Sequence, residues 1–299
     1  MPSPEAEGFV SLSSPIDLGL TLAPIAHGRG DPTVRFGPDG IWRATRTPTG
    51  PATLHLRVAV GGIAVEAWGP GAPAAVDGAA ELIGARDDPS ALVPQHRVIA
   101  ELVRRLPGLR LPRTGRPFEA LLPAICEQKV AGVDARAAFR GIVAAFGEPA
   151  PGSSGLRLAP TPEALAAQPY FAFHRFGLER RRADLIRAAA RLAHRLEGVA
   201  PAEAYARMGA VPGIGPWTLA EVGRIAFGDP DAVSVGDYHL PNLVAWALAR
   251  QPRADDTRML ELLEPYRGQR GRVQRLLEAS GIRTPRYGPR MAPQRIAEI

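Results

Sequence analysis

The chain has 299 residues and a mass of 31.8 kDa, with 36 basic and 30 acidic residues, 45% hydrophobic and 22% charged residues. That is the composition of a globular protein of one large or two modest domains, and it excludes disordered and collagen-like chains. Apolar runs such as Val58 to Val65 fall far short of the ~20 residues that cross a bilayer, and the N-terminus lacks the charged and apolar regions of a secretion signal, so a cytoplasmic protein is expected.

One cysteine, Cys126, excludes an internal disulfide, a Cys-ligated zinc site and a four-cysteine iron–sulfur cluster. The 36 basic residues are 35 arginines and a single lysine, Lys129. Guanidinium forks suit phosphate, but a Gly-, Pro- and Ala-rich chain with almost no lysine also reads as the product of a GC-rich genome. Distribution says more than the ratio. Residues 1–85 carry five basic and eight acidic residues, so the positive excess belongs to residues 86–299. From Tyr266 to Arg295 there are eight arginines (Arg267, Arg270, Arg272, Arg275, Arg283, Arg286, Arg290 and Arg295) against one acid, Glu278, a candidate footprint for a polyanion.

In chain order, strands are predicted around residues 33–36 and 41–46, punctuated by Gly37-Pro38-Asp39-Gly40. Leu54, Leu56, Val58 and Val60 alternate with His55, Arg57 and Ala59, the period of a half-buried strand, and Gly61-Gly62 turns it into a hairpin partner at Ile63, Val65 and Ala67. A helix over 73–83, with Pro73 in its first turn, completes an N-terminal α+β domain, residues 1–85. From Asp88 the pattern is helical and no strand pattern interrupts it. Phe118, Leu121, Leu122 and Ile125 lie at i, i+3, i+4, i+7 of a helix reaching toward Val130, with Pro123 expected to kink it. Further helices are predicted over 135–146, 162–167, 180–196, 202–208, 216–227, 240–249, 256–263 and 273–279. The expected architecture is therefore an α+β module followed by a larger all-α domain, residues 86–282, and a Pro/Arg-rich tail, residues 283–299.

The segment from Met208 to Asn242 carries the chemistry. Two helices are joined by Pro212-Gly213-Ile214-Gly215, with Pro216 opening the second helix. Glycines on both sides of Ile214 allow a tight turn whose amides converge on an anion such as a DNA phosphate; alone, the same motif also describes an ordinary αα-hairpin plugged by Ile214. Some twenty residues on, Asp237-Tyr238-His239 precedes another helix, where Asp237 reads equally as a helix cap. His239 reads as a packing or polar contact.

This hairpin-to-aspartate spacing resembles the helix-hairpin-helix DNA glycosylase superfamily. Residues 118–130 (FEALLPAICEQKV), 177–186 and Pro265-Tyr266-Arg267 are similar to segments of its 3-methyladenine DNA glycosylase II branch, and Asp87-Asp88, the Leu109 to Pro112 stretch and the strand-rich N-terminal module fit as well. The resemblance implies a helix-hairpin-helix glycosylase domain and a base-excision repair enzyme that hydrolyses the N-glycosidic bond of alkylated purines, of the 3-methyladenine type, in duplex DNA. It makes Asp237 the catalytic carboxylate, stabilising positive charge on the sugar. It makes Trp217 and Tyr238 the aromatic walls of the flipped-base pocket, although Trp217 also reads as helix packing. Pro212, Gly213, Ile214 and Gly215 would hold a phosphate, Gln128 and Lys129 would face the duplex, with Lys129 filling the gap of the flipped nucleotide or lying as a solvated helix-end lysine, and Arg267 and Arg270 would add backbone contacts. Members that also cut the strand carry a lysine where this chain has Trp217, so no lyase activity is expected. No cofactor and no side-chain metal site are implied; a monovalent cation at the hairpin carbonyls is. The partner implied is damaged duplex DNA, with a monomer expected.

The sequence departs from that branch at Glu221, where an aromatic residue is usual. Four residues after Trp217, its carboxylate faces either the base pocket or a nearby arginine. A substrate of another kind, deaminated or bulky bases, and a non-catalytic lesion-binding protein are the alternatives this leaves open. Glu127 replaces a small residue, with no reason visible in the sequence.

Overall fold

A computed structural model describes residues 3–285; Arg286, Arg290, Arg295 and the remainder of the expected tail lie outside them. The chain opens with strand β1 (Ala6–Ser11) and a short helix α1 (Leu18–Leu22), followed by β2 (Val34–Gly37), β3 (Gly40–Thr47), β4 (Gly50–Ala59) and β5 (Gly62–Trp68). The five strands form one antiparallel sheet in the order β1-β5-β4-β3-β2. The predicted hairpin is β4–β5, closed by Gly61 at φ 79°.

Strand β4 departs from the half-buried expectation. Leu54, Leu56 and also His55 are buried, whereas Val58 and Val60 project at the strand end, Val60 fully exposed at 101%. The middle of the strand is covered on both faces. One side meets the main core; on the other, Trp42 and Trp68 pack with Leu156 and Leu158 from a ribbon of β6 (Glu148–Pro149) and β7 (Arg157–Leu158). This ribbon corrects the expectation of an uninterrupted helical pattern after residue 88. His55 is tolerated inside because its ring stacks on Trp42 at 3.9 Å and its nitrogens bond Glu66 and the Asp39 carbonyl.

The helix predicted over 73–83 is two short helices, α2 (Ala72–Asp77) and α3 (Ala79–Leu82), divided at Gly78. Next come α4 (Arg97–Arg105), α5 (Pro117–Glu127) and α6 (Gly132–Phe146). Pro123 lies inside a single continuous α5, which stops at Gln128 rather than Val130. After the ribbon follow α7 (Pro162–Ala166), α8 (Arg180–Leu192), α9 (Pro201–Gly209), α10 (Pro216–Val222), α11 (Leu240–Ala249), α12 (Asp256–Leu263) and α13 (Arg270–Ala279). The ends of two predicted helices are wound differently, as a 3₁₀ turn over Ala193–Arg195 and a π turn over Gly223–Phe227.

Apolar packing divides differently from chain order. One core joins the sheet (Leu54, Leu56, Ile63) to α5, α6, α8, α9 and α10 through Leu121, Ile125, Phe139, Ile186, Met208 and Val222. A second core gathers α4 with α11, α12 and α13 through Ile99, Leu102, Val244, Met259, Leu263 and Val273. Polar clamps cross between them: Arg272, 3% exposed, donates a fork to Asp87, and Arg224 donates to Glu278. The chain passes from the first core to the second between α10 and α11, and the candidate site sits at that crossing.

Candidate active site

The hairpin joining α9 to α10 is built as the motif predicts. Ile214 is 6% exposed and plugs the first core, and its N–H donates to the Val211 carbonyl at 3.0 Å. Gly213 holds φ 103°, and a Cβ there would lie 3.2 Å from Leu185; an L side chain would meet both backbone strain and α8. The amides of Gly213 and Gly215 have no acceptor among the described residues, and both glycines face open space or the surface. A cation at this turn would rest on main-chain oxygens, of which the Gly213 carbonyl already accepts from Gln128. Among the described residues no three His, Cys, Asp or Glu side chains gather as a metal site.

Gln128 therefore has a place that its sequence position did not reveal. Its amide donates to the Gly213 carbonyl at 3.0 Å and to the buried Thr218 hydroxyl at 2.9 Å, tying the end of α5 to the hairpin. The same end is held from behind by Arg182, 3% exposed, which donates to the Cys126 carbonyl at 2.8 Å and to the Gly177 carbonyl at 3.0 Å. Lys129 follows in a left-handed conformation, φ 55°, with its side chain exposed. A non-glycine residue in that region is strained by roughly 1 kcal/mol, and here the surrounding bonds hold it.

Asp237 is reached from the second core. Its Oδ1 accepts from the amides of His239 (2.7 Å) and Leu240 (2.8 Å), at the start of α11, while Oδ2 accepts from the Trp217 indole N–H at 3.3 Å. The cap residue itself is His239, and Asp237, two positions earlier, holds the helix start with one oxygen only. The structure thus brings Trp217 of α10 against Asp237 across the junction of the two cores. It does not bring Tyr238 there: that ring is 71% exposed and packs edge-on against His239 at 4.9 Å.

Glu221 is turned inward. Its Oε1 accepts from Arg224 at 2.9 Å and from the Ser234 hydroxyl, and Arg224 in turn grips Glu278. Burial pushes the Glu221 carboxyl above its ordinary range even though Arg224 opposes the shift. The arginine alternative is thus realised for one oxygen; Oε2 accepts no hydrogen bond from the described residues, and the side chain is 21% exposed. Glu127 lies 3.8 Å from His27 and adds to the negative field at Glu221. Cys126 is fully buried and its thiol is pushed up to about 12 by burial, so it is chemically inert.

The arginines beyond Tyr266 are mostly spoken for. Arg270 forks onto Asp231, Arg272 onto Asp87, and Arg275 is buried with a donor on the Leu20 carbonyl. Arg267 is exposed and paired with Glu264. Tyr266 is a strut, 3% exposed, with its hydroxyl bonded to His96 at 2.7 Å. Sequence reasoning missed Arg182, Arg224, Ser234 and Gln274; only the i, i+3 pairing of Glu221 with Arg224 carried a local signal. A half-open cavity of about 30 Å³ among His27, Arg43, Glu119 and Phe139 has room for a water.

This fold is shared with several solved DNA glycosylases. The 3-methyladenine DNA glycosylase of Archaeoglobus fulgidus superimposes with a TM-score of 0.75 at 20% identity, covering 91% of this chain and 97% of that one. An 8-oxoguanine glycosylase/lyase of Clostridium acetobutylicum gives 0.70 at 13% identity, covering 92% and 96%. The 3-methyladenine DNA glycosylase of the fission yeast Schizosaccharomyces pombe, solved with abasic DNA, gives 0.52 at 20% identity over 64% of this chain and 96% of that one. No family model matches the sequence, and no curated protein does.

Proposed function

We propose that the protein is a monofunctional DNA glycosylase of base-excision repair that hydrolyses the N-glycosidic bond of alkylated purines in duplex DNA. The observation that carries this reading is the division of labour at Asp237: one oxygen fixes the carboxylate on α11, and the other stands at the indole of Trp217, at the junction of the two cores. With a flipped base stacked on Trp217, the C1′–N bond breaks with its electron pair leaving on the base. A cationic alkylpurine leaves as a neutral molecule, so no dedicated acid is needed. The carboxylate stabilises the oxocarbenium-like sugar and orients the water that adds at C1′. The free amides of Gly213 and Gly215 support a phosphate contact, and Lys129 at the adjoining turn supports a probe of the duplex. The single lysine is elsewhere than position 217, so a Schiff base has no amine there and the product is an abasic site.

The free oxygen of Glu221 favours a second reading with the same chemistry, in which it accepts a hydrogen bond from a neutral lesion. Duplexes each bearing one defined lesion, incubated with wild type and with Asp237→Asn, decide between them. Release of alkylpurine by the wild type alone supports the first reading, release only of deaminated or oxidised bases supports the second, and tight binding without release defeats both. A borohydride-trapped covalent DNA adduct would overturn the monofunctional assignment.

A further inference from the structure

Most arginines of this chain are consumed by ion pairs or carbonyls, so those that are not mark where charge is available to a partner. Four cations with no acidic or hydrogen-bonding partner among the described residues are carried by adjoining segments: Arg29, Lys129, Arg136 and Arg140. Arg29 stands at the apex of a loop, residues 27–31, between Gly28 (φ 85°) and Gly30 (φ 80°). The loop is rigidly built. Asp31, 7% exposed, accepts from the His27 amide, the Thr33 amide and the Thr33 hydroxyl, each at 2.7 Å, and the His27 ring packs on Phe139 of α6 at 4.9 Å.

That packing lays the loop along the arginine face of α6. A Cβ on Gly28 would lie 2.0 Å from Cδ of Arg136, so glycine there lets the backbone rest on that stem, and one on Gly30 would lie in ordinary contact, 4.0 Å, with Cδ of Arg140. A Cβ on Gly132 would lie 3.0 Å from Nη1 of Arg136, which places that guanidinium at the start of α6, three residues from Lys129. Two acids stand beside the patch: Glu127, 3.8 Å from His27, and Asp134, which has an interaction of its own.

We infer that the 27–31 loop and the first turns of α6 form a phosphate-binding platform for the DNA backbone, continuing the interface past Lys129 on the side away from the hairpin. The inference rests on the DNA reading of the site. Fixed, unpaired guanidinium groups on a scaffold suit phosphate, and each phosphate neutralised adds about 0.9 to the slope of log binding constant against log salt.

The test uses the full chain and a fluorescent duplex of about 25 base pairs with a central uncleavable abasic analogue, long enough to reach beyond the flipped site. Binding is followed by anisotropy across a sodium chloride series for the wild type, Arg29→Ala/Arg136→Ala/Arg140→Ala, and the control Arg104→Ala/Arg105→Ala, which removes exposed, unpartnered arginines from α4. Thermal midpoints verify that all three are folded. The platform variant is expected to lose up to about 2.7 from the salt slope, about 0.9 for each of its three arginines, and about tenfold or more in affinity, with the control unchanged. A platform variant with wild-type slope and affinity overturns the platform and leaves the glycosylase reading intact. Equal losses per arginine in both variants also overturn it, since net charge then explains the effect. A wild type that does not bind the duplex overturns the DNA reading and the platform together.

Discussion

Replacing Asp237 by asparagine separates the two things its carboxylate does. Asparagine keeps the shape and one carbonyl oxygen, so the amides of His239 and Leu240 retain their acceptor. Its amide group then faces the Trp217 N–H, donor against donor, and the 3.3 Å hydrogen bond is lost. A hydrogen bond of that length to a charged carboxylate is worth about 1.5 kcal/mol, so the melting temperature falls by about 3–6 °C. The chemical cost is larger. A unit negative charge about 4 Å from a developing positive sugar, at an effective dielectric constant of about 20, contributes about 4 kcal/mol, or roughly a thousandfold in rate. Single-turnover release of alkylpurine from a methylated duplex measures the second effect and calorimetry the first. A variant that melts near wild type and releases base within tenfold of its rate refutes the catalytic role and leaves Asp237 a brace for the start of α11.

Gln128→Ala removes the strut between α5 and the hairpin and leaves Thr218 underbonded; about 1–2 kcal/mol of stability is expected to go, read as a shifted urea midpoint, together with weaker duplex binding. Lys129→Gly relieves the left-handed backbone and is expected to raise stability by about 1 kcal/mol while weakening lesion-duplex binding; a loss of stability would show that the turn is not strained. Arg224→Met strips Glu221 and Glu278 of their shared partner and is expected to cost about 3 kcal/mol in urea, partly recovered on adding Glu221→Gln. Because burial raises the Glu221 carboxyl, the native state holds its proton more tightly than the unfolded chain. Its contribution is present below the ordinary glutamate range and is lost as pH rises through the raised value, so Glu221→Gln gains on the wild type in urea unfolding as pH rises above the ordinary glutamate range. Cys126 is expected to stay silent to a thiol reagent until the protein unfolds.

Local pattern determined a good deal by itself. Helices α11 and α12 begin and end where their apolar period and caps say, because an Asp before the helix and a run of apolar residues are short-range signals. The hairpin, with Pro216 opening α10 and glycines around Ile214, was legible for the same reason, as were strands β2 to β5. Strand β1 was not legible, since it is defined by pairing with β5 more than fifty residues away. The far face of β4 was misjudged because the ribbon that covers it comes from residues 148–158.

At the site the same distinction holds. Spacing singled out Asp237, Trp217, Glu221 and Lys129, but it could not say that Trp217 meets Asp237, that Tyr238 points to solvent, or that Glu221 is held by Arg224. Those facts depend on how the two cores are set against each other, which is decided by contacts between residues far apart in the chain. Charge shows this most plainly. Composition marked the stretch after Tyr266 as the basic region, yet three of its arginines are spent on Asp231, Asp87 and the Leu20 carbonyl. Unspent charge is found instead on α4 and around Lys129, where the loop of residues 27–31 packs onto α6, because only packing decides which guanidinium groups find an acid and which are left facing water.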